Sequence, residues 1–116
     1  MKQVSIDLSY LKTIAGDDES FIKEMLQMFL NTTPVEVESI GNYFKEGNYH
    51  MMASAAHKIK APIQMLGDEY ATGILLQIEQ LAKPENDKTE LPALIDEARE
   101  HLGALVSEVN KLFNTL

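Results

Sequence analysis

Apolar side chains recur at intervals of three and four residues along nearly all of this 116-residue chain, and no stretch alternates strictly between turn signals. That spacing lines one face of a helix and would scatter the same residues over both faces of a strand, so the sequence predicts an all-α protein. Glycine, proline and capping residues divide the pattern. A short helix is expected over residues 8–14, with Ser5 or Asp7 as N-cap and Gly16 at its end, where a missing Cβ suits the left-handed position after a helix. A second, about residues 19–31 after Asp17 or Asp18, carries Phe21, Ile22, Met25, Leu26 and Phe29 on one side. Thr33 followed by Pro34 reads as an N-cap with proline at the first helical position, so a new helix is expected from there to Gly47, buried through Val37, Ile40 and Phe44.

The next helix covers residues 49–66 and stops at Gly67; Asp68 caps another that carries Tyr70, Ile74, Leu75, Ile78 and Leu81. One loop stands out, residues 83–90 (KPENDKTE). Pro92 sits in the first turn of the last helix, whose stripe is Leu91, Leu94, Ile95, Ala98, Leu102, Leu105, Val109, Leu112 and Phe113. Connections this short set consecutive long helices antiparallel. The expected architecture is an antiparallel four-helix bundle with a short N-terminal helix, one domain over residues 1–116.

Charge narrows the partners. With 18 acidic and 10 basic side chains the net charge is −8, unsuited to binding the phosphate backbone of nucleic acid or to docking on an anionic membrane. The absence of cysteine removes disulfides, thiolate metal sites and thiol nucleophiles. No apolar run has the length of a leader or a membrane span, which reads as a cytoplasmic chain, free-standing or cut from a larger one.

The segment YHMMASAAHKIKAPIQML, residues 49–66, is unlike the others. At about 100° per residue, Met52, Ala56, Ile59, Ile63 and Leu66 fall in one narrow core-facing sector. His57 lies roughly 140° from its centre and faces outward. Its neighbours one or two turns away are Ala53, Ser54, Lys60, Ala61 and Gln64, so one imidazole stands among short side chains with one cation a turn away. A solvated helix face is usually filled with Glu, Lys and Gln. Small residues instead clear space for another surface to reach the ring. Imidazole is partly neutral near pH 7 and hence nucleophilic, and an ammonium beside it suits a phosphoryl group carried on a ring nitrogen.

The run His57-Lys58-Ile59-Lys60-Ala61, with Gly67 ten residues past the histidine, resembles the His-x-Leu-Lys-Gly…Gly signature of histidine-containing phosphotransfer (HPt) domains of bacterial multistep phosphorelays. Asp7-Leu8-Ser9-Tyr10-Leu11 with Gly16-Asp17, then Phe21 to Phe29, Pro34, Gly47-Asn48-Tyr49 and Ala55-Ala56 resemble further landmarks of that family, over nearly the whole chain. Two departures stand out. Ala61 replaces the usual glycine and adds a methyl near the imidazole. Pro62 removes a backbone bond, presses on the carbonyl of Lys58 and costs about 3 kcal/mol in a regular helix, so a local kink is expected beyond an intact His57–Lys60 turn.

The resemblance implies a carrier, not a kinase. His57 would take a phosphoryl group from the aspartate of one receiver domain and pass it to another, with Lys60 stabilising charge and Ala53, Ser54, Ala61 and Gln64 forming the partner-binding face. Glu79 corresponds to a position the family fills with Glu or Gln and is expected to support the site. Mg²⁺ would belong to the receiver, and no cofactor is expected on this chain. The partners would be response regulators or a hybrid histidine kinase, met by a monomer. No glycine-rich phosphate loop is present, so self-phosphorylation is not expected. The rival reading is a helical adaptor that uses the same face without accepting phosphate.

Other constellations read as ordinary surface or packing. No Glu-x-x-His pair supports a metal site in the bundle, and His50 and His57 stand roughly 10 Å apart on one face, too far for one metal. His101, four residues after Glu97, is expected on the solvated side of the last helix. Asp17-Asp18-Glu19 complements a helix dipole. Met25 and Met52 fall on core stripes, whereas Met28, Met51 and Met65 suit a pliable rim. The sequon Asn31-Thr32-Thr33 is expected to lead into a helix cap.

Overall fold

Three glycines with positive φ mark the turns between helices: Gly16 at 63°, Gly47 at 73° and Gly67 at 76°. The computed structural model describes residue 4 and residues 6–116; Ser5, one of the two caps expected for the first helix, lies outside them. Five helices and no strand occur among the described residues: α1 (Ser9–Ala15), α2 (Glu19–Lys45), α3 (Tyr49–Met65), α4 (Glu69–Leu81) and α5 (Leu91–Asn114). Three caps repeat one device. Asp18 accepts from the N–H of Phe21 at 3.1 Å, Asn48 from Met51 at 3.2 Å and Asp68 from Ala71 at 3.0 Å, each satisfying an amide that the first helical turn leaves without a partner. Ahead of α1, Asp7 accepts from both the hydroxyl and the N–H of Ser9, which holds its carboxyl below the ordinary aspartate range.

The helix boundary expected at Thr33-Pro34 is absent. α2 runs unbroken through Pro34 for 27 residues, and Asn31 lies inside it, bonded to Gln27, rather than leading into a cap. An interior proline costs about 3 kcal/mol. Ile22, Leu26 and Phe29 before it and Ile40 after it are all buried, at roughly 1.5–3 kcal/mol each, so packing of both halves against one core outweighs the missing bond. α3 likewise stays helical through Pro62 to Met65.

α2 packs on α3 and α5, α3 on α4, and α4 on α5, so the contacts of the four longer helices close a ring, with α1 against α2. The core inside that ring is built from Phe29, Leu26, Ile40, Met52, Ile59, Ile63, Leu75, Ile78, Leu91 and Leu102, all nearly inaccessible. The molecule measures 46 × 25 × 20 Å, its long axis a little beyond the roughly 40 Å of α2. The segment before α1 is stitched to the α3–α4 turn: the Asp7 N–H donates to the Leu66 carbonyl at 2.7 Å, directly beside Gly67.

His101 corrects a second expectation. It is not on a solvated face but 4% exposed, with Nε2 at 2.7 Å from Oδ2 of the equally buried Asp68 and the Tyr70 ring 5.0 Å away. Its place three residues after Ala98 and four before Leu105, both in the core, puts it on the flank of the buried stripe, while Glu97 lies on its exposed side.

Candidate functional site

The site lies where α3 meets α4. Burial of Met52, Ala55, Ala56, Ile59 and Ile63 fixes the rotation of α3 about its axis and turns His57 outward, its side chain 76% exposed. On α4 the buried residues Ala71, Ile74, Leu75 and Ile78 set the helix so that Glu79, next to Ile78, emerges at the rim of the core facing α3.

The Glu79 carboxylate is shared. Its Oε1 is 2.9 Å from Nδ1 of His57, and its Oε2 accepts from Nζ of Lys60 at 2.6 Å. Glu79 is only 16% exposed and Lys60 20%, so this ion pair is largely shielded from water, while the imidazole stays open. A carboxylate has no proton to give, so the ring hydrogen must sit on Nδ1. With the ring neutral, the lone pair is then on Nε2, the nitrogen that Glu79 does not hold. Lys60 and Glu79 carry opposite charges and offset each other.

The face around His57 is graded. Ala61 and Gln64 are exposed, Ala53 and Ser54 half-buried, and Lys58 reaches back to within 4.0 Å of Glu36 on α2. Towards the start of α3, Asn48, His50, Ala53, Glu79 and Lys83 line a groove of about 500 Å³. Towards its end, Gln64, Thr72, Gly73 and Leu76 line another of about 400 Å³, with Leu76 47% exposed. Met52 is fully buried, Met51 and Met65 are half-buried and Met28 is exposed.

All seven residues singled out from the sequence lie on or beside α3 and its neighbour α4, but they do not act as one group. His57 and Lys60 each contact Glu79; Ala53, Ser54, Ala61 and Gln64 lie on the helix turns around them. The restraint of Lys60 was not legible in the sequence, because its partner arrives from another helix 19 residues on. No group of three or more His, Asp or Glu side chains able to hold a metal occurs among the described residues, and none of their helices is long and apolar enough to cross a membrane.

A scan against protein-family models, a search of curated proteins and a search of solved structures found no match to this chain.

Proposed function

We propose that this chain is a phosphorelay carrier of the histidine-containing phosphotransfer type, an antiparallel four-helix bundle in which His57 accepts and donates the phosphoryl group. The observation that carries this reading is the Glu79 carboxylate bridging His57 Nδ1 and Lys60 Nζ. A histidine of no consequence on an exposed helix face needs no half-buried carboxylate to choose its tautomer. A nucleophile does.

In the step proposed, the Nε2 lone pair of His57 attacks the phosphorus of an aspartyl phosphate on a receiver domain. The N–P bond forms as the P–O bond to the aspartate breaks, and the aspartate leaves as a carboxylate. The positive charge developing on the ring is carried at Nδ1–H against Glu79, which supplies a preset counter-charge in a partly dry site. Lys60, one turn from the acceptor, exchanges part of its bond to Glu79 for the phosphoryl oxygens. Transfer to a second receiver reverses each event. Mg²⁺ on the receiver neutralises the phosphoryl oxygens; this chain contributes the acceptor, its tautomer and the docking face. A cytoplasmic site of action, among receivers and hybrid kinases, belongs to the same proposal.

The test is to mix the protein with a panel of purified receiver domains phosphorylated by acetyl phosphate and Mg²⁺. Wild type should acquire an acid-labile, alkali-stable phosphate that His57→Gln does not. Label persisting in His57→Gln, or no label from any receiver or from phosphoramidate, would refute the carrier role and leave the adaptor.

A further inference from the structure

Helices α3 and α4 are joined by the chain at one end only. The turn at Gly67 links the end of α3 to the start of α4. At the far end Tyr49 and His50 of α3 line one groove with Ala82 and Lys83 beyond α4, and no chain segment connects the two sides directly. Glu79, two residues before the last of α4, belongs to that open end. The final carbonyls of a helix have no donor within it, so the backbone that carries Glu79 depends on outside partners for its position.

Lys88 supplies them. From the α4–α5 loop its Nζ donates to the carbonyls of Lys83 (2.7 Å) and Asn86 and stands 5.2 Å from the centre of the Tyr49 ring on α3. Two carbonyls and a ring face account for the three donors of an ammonium. Asn86 donates from Nδ2 at 2.6 Å to the carbonyl of Gln80, the residue after Glu79, and from its N–H at 3.0 Å to that of Lys83. Tyr49 in turn lies against Phe44 at the end of α2, with ring centres 6.3 Å apart. A continuous set of contacts therefore runs from the last turn of α4 through Asn86 and Lys88 to the first turn of α3.

Lys88 is not placed there by an ion pair. It has no carboxylate within 4.0 Å among the described residues, and Asp87 beside it is engaged by the N–H and hydroxyl of Thr89 at 2.9 and 2.6 Å. A solvated lysine leaves its ammonium in water; this one is half-buried and directs it to the loop backbone. The consequence reaches the acceptor, because Oε1 of Glu79 is 2.9 Å from His57 Nδ1 and a displacement of about 1 Å at the end of α4 would take it out of hydrogen-bond range.

We infer that Lys88 is a positioning residue for His57: by closing the open end of the α3–α4 pair it holds Glu79 against Nδ1 and so keeps Nε2 free. The inference rests on the Glu79–His57 contact and, for its effect on phosphoryl transfer, on the carrier reading above.

Lys88→Met keeps the length of the side chain and removes its donors, Lys88→Arg keeps both donors and charge, and Asn86→Ala cuts the link to Gln80 alone. Nitrogen-15 spectra of the neutral His57 ring should show the proton on Nδ1 in wild type, a larger share of Nε2–H in Lys88→Met and Asn86→Ala, and a return towards wild type in Lys88→Arg. All are read below the melting temperature of the least stable variant. Phosphoramidate labelling should slow by about threefold in Lys88→Met, and in a Glu79→Ala background the same substitution should have no further effect, because it acts through Glu79. An unchanged tautomer in both Lys88→Met and Asn86→Ala overturns the inference, as does equal slowing by Lys88→Met with and without Glu79. If phosphoramidate and receivers leave wild type unlabelled, the carrier reading fails and the tautomer alone decides the role of Lys88.

Discussion

Glu79 and His57, 22 residues apart in the chain and on different helices, are joined by a 2.9 Å contact between Oε1 and Nδ1, and that contact dictates which imidazole nitrogen is free to react. Glu79→Gln retains an acceptor for Nδ1–H without the charge, whereas Glu79→Ala removes both. Phosphoramidate labelling should fall by about tenfold or more in Glu79→Ala and by less in Glu79→Gln. Nitrogen-15 spectra of the neutral ring should show the proton on Nδ1 in wild type and a shift towards Nε2–H in Glu79→Ala. If the tautomer is the same in both, Glu79 does not position His57.

Lys60 and Ala61 separate charge from access. With Nζ at 2.6 Å from Glu79, Lys60 shares with His57 the carboxylate that both contact, in reach of a phosphoryl group on the acceptor proposed above. Lys60→Ala should slow transfer by about tenfold, close to 1.4 kcal/mol of barrier, with both a receiver and phosphoramidate. Ala61→Leu adds bulk on the exposed face without changing charge, so it should slow the receiver reaction and spare the small donor. Wild-type rates for Lys60→Ala with both donors would make Lys60 a structural partner of Glu79 only.

The parts of this molecule that were legible in the sequence are those set within one helix. The burial of Met52, Ile59 and Ile63 and the outward turn of His57 follow from 3.6-residue periodicity alone, and the cap at Asp68 from residue type and place. What depended on a second helix was not legible. Pro34 carries a strong local signal for a helix start, and it is overridden by Phe29 and Ile40 packing into one core from either side. Glu79 could be singled out only through a family resemblance, because nothing in its neighbourhood of α4 announces that Lys60 and His57 stand opposite. His101 is legible in part: its spacing from Ala98 and Leu105 places it on the flank of the stripe, but its partner Asp68, 33 residues earlier, which makes a buried histidine tolerable, is not announced in α5.

Gly67 and Gly47 have the same backbone sign but different surroundings, which makes them a matched pair. A Cβ at Gly67 would stand 2.7 Å from Cβ of Asp7 and 3.1 Å from its carbonyl oxygen, whereas one at Gly47 meets nothing within 4 Å. Gly47→Ala should cost only the left-handed penalty, about 1–2 kcal/mol. Gly67→Ala should cost more, because the backbone of the segment before α1 must move and its Asp7–Leu66 bond is lost. Chemical denaturation of both variants measures the difference, and faster amide exchange at Asp7 should accompany Gly67→Ala alone. Equal losses would mean that the N-terminal segment contributes nothing there.

Asp68 performs two tasks with two oxygens: Oδ1 caps α4 through the Ala71 N–H, and Oδ2 meets His101 Nε2 on α5. Both side chains are 4% exposed, so neither can turn to water if the other is removed. Truncating one member of a buried, bonded pair typically costs about 3–5 kcal/mol, most of it the penalty of stranding the survivor. His101→Leu strands a carboxylate and should fall in that range by urea denaturation. Asp68→Asn keeps an oxygen for the cap and removes the charge, so adding it to His101→Leu should recover a large part of the loss, a coupling on the order of 1–3 kcal/mol. Additive losses in the double variant would show that the two residues do not depend on each other. The pair sits at the opposite end of α4 from Glu79, so every variant that still folds should be labelled by phosphoramidate at His57 as fast as wild type; a slower rate in folded protein would mean that the pair also sets the register in which α4 presents Glu79.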